Sequence, residues 1–179
     1  MKQLKKYHRL HLIAICLFVF VFSKIETGYA QRSCISTNLL EWGVLTPNAG
    51  IELRLNHKST IAMDVSGCPW RLSKNLSFRQ ISIRPTYKYW FKQAFYAHYI
   101  GIDLLYSAYD IHLKNKFYDG NIIALGIGYG YSFLLNERLN LIPGIGIGVG
   151  YNHSRNQTVK SGIKPVLTQA AITLQYVIR

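Results

Sequence analysis

The stretch GIGIGVGY, residues 144–151, places glycine at every second position and a larger residue between successive glycines. A similar run, ALGIGYGY, occupies residues 124–131. A dinucleotide-binding fingerprint needs glycines at its first, third and sixth positions, but counting from Gly144 the sixth residue is Val149. A period of two instead predicts β-strands, because successive side chains of a strand point to opposite faces.

The same period recurs along most of the chain and predicts an all-β fold. The eight predicted strands lie near residues 35–42, 48–56, 59–68, 78–91, 95–109, 120–134, 138–152 and 165–178. Several exceed ten residues, which suits a tilted strand that crosses a bilayer. Short turns (56–58, 92–94, 135–138) alternate with longer polar segments (69–77, 110–119, 153–164). This alternation is typical of an eight-stranded antiparallel transmembrane β-barrel, which we predict over residues 31–179.

Residues 1–30 have the order of a cleaved signal peptide. A basic head precedes the apolar run 12–22, and small Ala30 ends the segment. The alternative is an uncleaved anchor, although the apolar run is shorter than the ~20 residues that a spanning helix needs. Removing the five bases and one acid of this segment lowers the net charge from +13 to +9. An exported basic protein favours anionic lipid or glycan as its partner, and no nucleic acid is expected.

The large residues between the glycines suit a surface that faces lipid, so we expect the glycines to face inward. The same parity predicts six inward charged residues: Glu52, Arg54, Asp64, Arg84, Lys88 and Asp103. On the lipid face a base would cost ~2–4 kcal/mol at the bilayer midplane. The alternative is that some of these charges lie beyond the hydrocarbon and are simply solvated. Eight strands leave an interior that side chains just fill.

Aromatic residues are predicted to form a girdle at each end of the strands. One girdle comprises Trp70, Tyr106, Tyr109 and Tyr151, and the other Tyr89, Phe91, Phe95, Tyr96, Tyr131 and Phe133. Cys34 and Cys68 should lie at opposite ends of an apolar band ~25 Å tall. A disulfide requires Cα atoms within ~7 Å, so we predict two unbridged thiols.

No catalytic, cofactor-binding or metal-ligating residue is predicted. The His-x-Ser pattern occurs only at His57 and Ser59, in a short turn that does not position a nucleophile and base. The six histidines and the cysteines have no metal-ligand spacing. An outer-membrane lipid hydrolase that modifies lipid A, and a small-molecule pore, stay as alternative functions.

The predicted outer loops are rich in bases. These are Arg71, Lys74, Lys114, Lys116, Arg155, Lys160 and Lys164, against the acids Asp110 and Asp119. They could bind the phosphates of lipopolysaccharide or an anionic glycan. The alternative is that they only lie comfortably beside anionic lipid.

Four stretches carry a resemblance to a known family: residues 36–53, 83–103, 129–151 and 164–178. They resemble a family of small exported proteins of unknown function that is classed with the outer-membrane β-barrels of Gram-negative bacteria. The resemblance implies location in the outer membrane and a link to surface-fimbria assembly, with a surface or fimbrial protein as a partner. From the residues themselves we predict a monomeric barrel in contact with outer-membrane lipid and lipopolysaccharide, with a non-enzymatic role in envelope structure, anchoring or binding.

Overall fold

The fold is described from Ser33 to Ile178. A computed structural model describes residues 33–178 apart from 74–75, 114–115 and 156–160. The chain divides into two units, Met1–Ala30 and Gln31–Arg179. The first unit, for which the sequence predicts a signal peptide, lies outside the described residues, and the strands belong to the second.

Nine strands and one short helix follow each other along the chain. They are β1 (Ser33–Asn38), α1 (Leu39–Gly43), β2 (Asn48–Arg54), β3 (Ser59–Cys68), β4 (Arg71–Ser73), β5 (Leu76–Trp90), β6 (Ala97–Leu113), β7 (Lys116–Leu134), β8 (Leu139–Ser154) and β9 (Gly162–Ile178). Among the described residues, no helix is both long and apolar enough to cross a membrane.

Eight of the strands are joined in one antiparallel sheet. β1, β2 and β3 pair in sequence, β3 pairs with β5, and β5 to β9 again pair in sequence. β9 also pairs with β1, so the pairings form an unbroken ring. The three-residue β4 pairs only with the start of β5. The predicted all-β class and eight antiparallel strands are therefore confirmed.

The ring gives the sheet a buried inner face and an exposed outer face. Gly126, Gly128 and Gly130 on β7 are buried, and they pair with Gly148, Gly146 and Gly144 on β8. The residues between them point outward, as Ile147 does with 68% of its surface exposed. The predicted inward facing of the glycines is confirmed.

The first predicted strand is shorter than expected because a helix interrupts it. Strand β1 stops at Asn38, and residues 39–43 form α1 instead of continuing to residue 42. The Asn38 side chain accepts a hydrogen bond from the Leu40 N–H and thereby caps the helix. Asparagine is among the preferred residues for this position, since its oxygen satisfies an N–H that the helix leaves without a partner.

Residues 110–119 were predicted to be a polar loop, and this prediction is wrong. β6 extends to Leu113 and β7 begins at Lys116, so the two strands continue as a hairpin. Part of 69–77 is likewise strand, in β4 and the start of β5. Polar and apolar residues still alternate at 110–113 and 71–73, but the high content of polar residues led to the prediction of loops.

Three side chains lie in places that the sequence did not predict. Phe95 and Tyr109 were assigned to the outward girdles, but Phe95 is buried and the Tyr109 hydroxyl donates inward to Asn152. Cys34 lies within β1, fully buried, and not before it. Cys34 and Cys68 are not joined by a disulfide, as predicted.

An apolar cluster fills the inner space at the end where the turns are short. It comprises Cys34, Trp90, Phe95, Tyr99, Ile142 and Val177. The backbone carbonyl of Phe95 accepts hydrogen bonds from the side chains of Ser132 and Asn140, which ties the 91–96 turn under the cluster. This end of the ring is therefore closed by packed side chains.

Candidate functional site

The polar layer above the apolar cluster is built around Glu52. Its carboxylate is 1% exposed and accepts hydrogen bonds from Lys88 Nζ (2.7 Å), Gln175 Nε2 (2.9 Å) and Thr60 Oγ1 (2.5 Å). Thr60 Oγ1 in turn accepts from Trp90 Nε1 at 3.0 Å. These groups come from β2, β3, β5 and β9, so one carboxylate links four strands across the interior.

A second ion pair lies further along the interior. Arg84 on β5 donates to Asp64 Oδ2 on β3 at 3.1 Å, and it donates to the Thr168 carbonyl on β9 at 2.9 Å. Arg84 therefore reaches across the ring from one strand to another that is not its neighbour. Buried charges need such paired contacts, because an isolated charge removed from water is costly.

The row of glycines on β7 and β8 makes room for side chains from other strands. The Tyr99 ring lies against Gly130, and Gln169 lies against Gly128 and Gly146. Gln169 Nε2 also lies 3.5 Å from the Tyr99 hydroxyl. The interior is filled here because bulky groups face bare backbone.

A bulge in β9 gives the interior an additional polar side chain. The register between β8 and β9 shifts between Gly146 and Ile147, and both Thr168 and Gln169 are buried as a result. A regular strand would turn one of two consecutive side chains outward. The sequence contains no obvious signal for this bulge, and the prediction did not include it.

The alternation of residues along the strands predicted the positions of the inward charged residues well. Glu52, Lys88, Asp64 and Arg84 form the two interior ion pairs. Asp103 is 1% exposed and lies against Gly126, but it forms no direct ion pair with a described residue. The sixth predicted residue, Arg54, lies at the end of β2, and its guanidinium bonds to the carbonyl of Asn56 and to His57 in the short turn.

His57 and Ser59 make separate contacts. His57 Nδ1 lies 3.1 Å from Arg54 Nη2, whereas Ser59 is buried and accepts a hydrogen bond from the Tyr87 hydroxyl at 2.8 Å. The described residues contain no group of three or more His, Cys, Asp or Glu side chains that could hold a metal ion.

The charged residues at the far end of the strands form an outward row. The register places Arg79 opposite Asp110 and Asp110 opposite Asp119. Arg155 Nη1 lies 3.8 Å from Asp119 Oδ1. The side chains of the other predicted loop bases lie outside the described residues, except Lys164, which is exposed on β9. The row mixes both signs of charge, because Asp110 and Asp119, the two acids among the predicted loop residues, lie in it.

The sheet has a gap that could not be predicted from the sequence. β1 and β2 are short, and Asn38 is the last β1 residue that pairs with β9, opposite Thr173. β9 continues from there to Gly162 without a β1 partner among the described pairings. Residues 39–47, including α1, lie at this gap, where the Asn38 side chain bonds to the backbone of Ala170 and Ile172.

A cavity of about 290 Å³ occupies the gap. It is lined on the inside by Arg84, Ser82 and Thr168, and on the outside by apolar residues that include Val44 and Leu167. The cavity thus connects the polar interior with the apolar outer face of the sheet.

Comparison with known proteins identifies the family. No curated protein and no solved structure matches the chain. One family model, described as Protein of unknown function (DUF3575), matches residues 14–178. That match spans nearly the whole chain, including every strand of the ring, and the chain therefore belongs to the DUF3575 family.

Proposed function

We propose that this protein is a β-barrel of the bacterial outer membrane that spans the bilayer with the ring of eight strands. The observation that carries the proposal is the apolar outer face of the ring. Each of the eight strands contributes an exposed large apolar residue: Ile35, Ile51, Met63, Ile83, Ile102, Leu125, Ile147 and Leu167. Soluble monomers rarely expose so much contiguous apolar surface, whereas lipid tails favour it.

The height of this face agrees with a bilayer. On β7 the outward residues from Ile123 to Phe133 are large and apolar or aromatic, and each of those two is more than half exposed. The distance along the strand is about 33 Å at ~3.3 Å per residue. A tilt of about 40° lowers this to about 25 Å, the usual height of the apolar band.

The hydrogen bonding and the placement of charge in the ring also suit a membrane protein. In lipid, backbone N–H and C=O groups must bond within the protein. The strand pairings supply these bonds around the ring, and at the gap the Asn38 side chain bonds to the backbone of Ala170 and Ile172. The charges lie on the inner face, in the Glu52–Lys88 and Asp64–Arg84 pairs. An interior that is crossed by ion pairs and closed at one end by the apolar cluster supports a structural, anchoring or binding role over a pore.

We further propose that the role is non-enzymatic. Its partners would be outer-membrane lipid and lipopolysaccharide at the strand ends, together with a surface or fimbrial protein, and the barrel would act as a monomer. The separate environments of His57 and Ser59 support this over a lipid hydrolase, because a nucleophile and its base must share a hydrogen bond.

The test uses the exported chain purified from outer membranes. It should require detergent, and it should migrate differently on gels when it is left unboiled, because closed barrels resist unfolding. In planar bilayers it should give no steady conductance, and it should release no fatty acid from lipid A. A monomer that stays soluble without detergent would overturn the membrane proposal, and steady conductance would overturn the filled interior.

A further inference from the structure

A group of bases lies at the end of the ring where the turns are short. This group, the basic turn surface, consists of Arg54 at the end of β2, His57 and Lys58 in the turn that follows, and Lys92 in the turn after β5. The His57 carbonyl accepts a hydrogen bond from the Ala94 N–H at 2.8 Å, so the two turns lie side by side. The side chains of His57, Lys58 and Lys92 are exposed and belong to one surface.

The positive charge of the basic turn surface is not neutralised within the described part of the chain. Arg54 donates to the Asn56 carbonyl at 3.1 Å and to His57 Nδ1 at 3.1 Å, and both of these acceptors are uncharged. Lys92 Nζ lies 5.7 Å from the centre of the Tyr96 ring, a contact that favours the charged ammonium. The ion pairs between described residues include no member of this surface.

Exposed apolar side chains border the basic turn surface on the outer face of the sheet. Leu55 is 40% exposed and Phe91 is 52% exposed. Tyr89, the preceding outward residue of β5, packs edge-on against Phe91 with the ring centres 6.1 Å apart. Aromatic rings beside bases are typical of the level in a bilayer where acyl chains end and phosphate groups begin. The surface therefore offers an apolar environment for acyl chains next to a basic one for a head group.

The other charged groups at the ends of the strands are compensated by acids. Arg138, in the third short turn, follows Glu137 directly in the chain and donates to the Tyr176 hydroxyl at 3.3 Å. At the far end, Arg155 lies 3.8 Å from Asp119. A surface with uncompensated bases attracts a head group of net negative charge and repels the ammonium of a zwitterionic one. The basic turn surface thus favours an anionic lipid.

We propose that the basic turn surface binds the head group of an anionic phospholipid in the leaflet that meets the short turns, which in such barrels face the periplasm. Lys58 and Lys92 pair with the phosphate, and His57 Nε2–H donates to it. The acyl chains lie along Leu55 and Phe91. The proposal rests on the membrane location argued above, because only a bilayer brings lipid phosphates to this level. It adds a lipid class, a leaflet and the binding residues to that proposed function.

The experiment measures lipid retention by native mass spectrometry of the full exported chain in maltoside micelles. Phosphatidylglycerol, phosphatidylethanolamine and phosphatidylcholine with identical acyl chains are the probes. Phosphatidylglycerol should be retained at least about fivefold better than either zwitterionic lipid, which is the effect of about one base at a charged membrane surface. Equal retention of the three lipids, or preferred retention of a zwitterionic lipid, would overturn the site.

A double variant and a matched control assign the effect to these turns. Lys58→Gln combined with Lys92→Gln should abolish the preference for phosphatidylglycerol. Arg138→Gln removes a base from the same end of the ring and should preserve the preference. Each variant is first checked for the gel shift of the folded barrel. A preference that survives the double variant would refute the role of the lysines, and its loss in Arg138→Gln would show that only net charge matters.

Competition and sedimentation test whether the ligand is a lipid. Inorganic phosphate should not displace phosphatidylglycerol at equal concentration, because it lacks the acyl chains that contact Leu55 and Phe91. Displacement under that condition would overturn the lipid as the ligand. Sedimentation with isolated peptidoglycan that is lost in the double variant, without any lipid preference, would assign the surface to the cell wall instead.

The same measurements separate this site from the membrane location. A barrel that requires detergent but retains the three lipids equally refutes the site alone. A chain that is soluble without detergent refutes the membrane proposal itself.

Discussion

At the scale of single residues, the interior ion pairs are the groups on which stability depends most sharply. Lys88→Met would leave Glu52 buried beside Thr60 and Gln175 without its cation. We expect the free energy of unfolding to fall by about 3–5 kcal/mol, the usual cost of removing one partner of a buried ion pair. Urea unfolding of the detergent-solubilised protein, followed by gel shift, measures it.

The exposed pair Arg155–Asp119 is the matched control for this prediction. Its side chains are 62% and 41% exposed, and the charged atoms lie 3.8 Å apart. Arg155→Met should change the unfolding free energy by less than about 1 kcal/mol, because solvent screens exposed pairs. Equal losses from the two variants would mean that water reaches Glu52 in the folded protein.

The paired glycines allow a second test at this scale. A Cβ on Gly148 would lie 2.6 Å from Gly126 Cα and 2.8 Å from the Leu125 carbonyl carbon, which are backbone atoms. A Cβ on Gly128 would first meet Gln169 Oε1, the end of a flexible side chain, at 3.0 Å. Gly148→Ala should therefore cost about 1–3 kcal/mol.

The comparison variants are Gly128→Ala and Gly43→Ala. Gly128→Ala should lower the free energy of unfolding by less than about 1 kcal/mol, since the Gln169 side chain can adopt another rotamer. A Cβ added at Gly43 would have no atom within 4 Å, so Gly43→Ala should hardly change the free energy of unfolding. A cost for Gly128→Ala equal to that for Gly148→Ala would show that Gln169 is held rigidly.

The sequence predicted which face each charge occupies, but not the partner that it finds. Parity along a strand is a local property, so Glu52, Lys88 and Asp103 could be assigned to the inner face from their neighbours alone. The bonds of Glu52 to Gln175 and of Arg84 to Thr168 join residues far apart in the chain. They depend on the order and stagger of the whole ring, which no short stretch encodes.

At the scale of elements, Asn38 decides where β1 ends and α1 begins. Its side-chain oxygen accepts from the N–H groups of Leu40 and Ile172, and its nitrogen donates to Ala170 and Glu41. Asn38→Ala should lower the unfolding free energy by about 2–3 kcal/mol, since it removes a helix cap and leaves β9 backbone groups without partners. Denaturant unfolding in detergent measures the loss.

Asn56→Ala is the control for this prediction. Asn56 Oδ1 accepts from the Lys58 N–H in an exposed turn, so water can replace the side chain. We expect a loss below about 1 kcal/mol. If the two asparagines proved equivalent, the contacts of Asn38 with β9 would contribute nothing.

Period two predicted the elements wherever a strand has one polar and one apolar face. It missed α1, because five residues are too few to show a helical repeat. It missed the extensions of β6 and β7, because segment 110–119 is rich in polar residues and was interpreted as a loop. It could not reveal the gap, since a gap depends on the relative lengths of β1, β2 and β9 and not on the residues of any one of them.

At the scale of the whole molecule, the ring separates its two cysteines. Cys34 pairs with Glu52 and Glu52 with Ala62, so Cys68 lies six residues further along β3, about 20 Å away. Cys68 is partly exposed and Cys34 is fully buried. An impermeant maleimide on intact cells should label Cys68 and not Cys34, as mass spectrometry of the labelled protein would show.

A cysteine introduced at position 137 shows whether the labelling pattern reflects the orientation of the barrel or only the burial of Cys34. Glu137→Cys places an accessible thiol in the short turn at the opposite end of the ring, and it should react only after the cells are lysed. Labelling of that position on intact cells would reverse the orientation. A bridge between Cys34 and Cys68 in the native protein would contradict the strand order.

The pairing of β9 with β1 has one more consequence, for how the chain can be cut and rejoined. Ser33 and Ile178 lie opposite each other on the paired strands β1 and β9, although 145 positions separate them. A short glycine-serine linker from β9 to β1, with new termini opened in the 135–138 turn, gives a circular permutant with every strand pair retained. Such a permutant should refold in detergent to the same gel-shifted form. It should not fold faster, because β8 and β7 become its first and last strands and the ring still has to close across the full length of the chain.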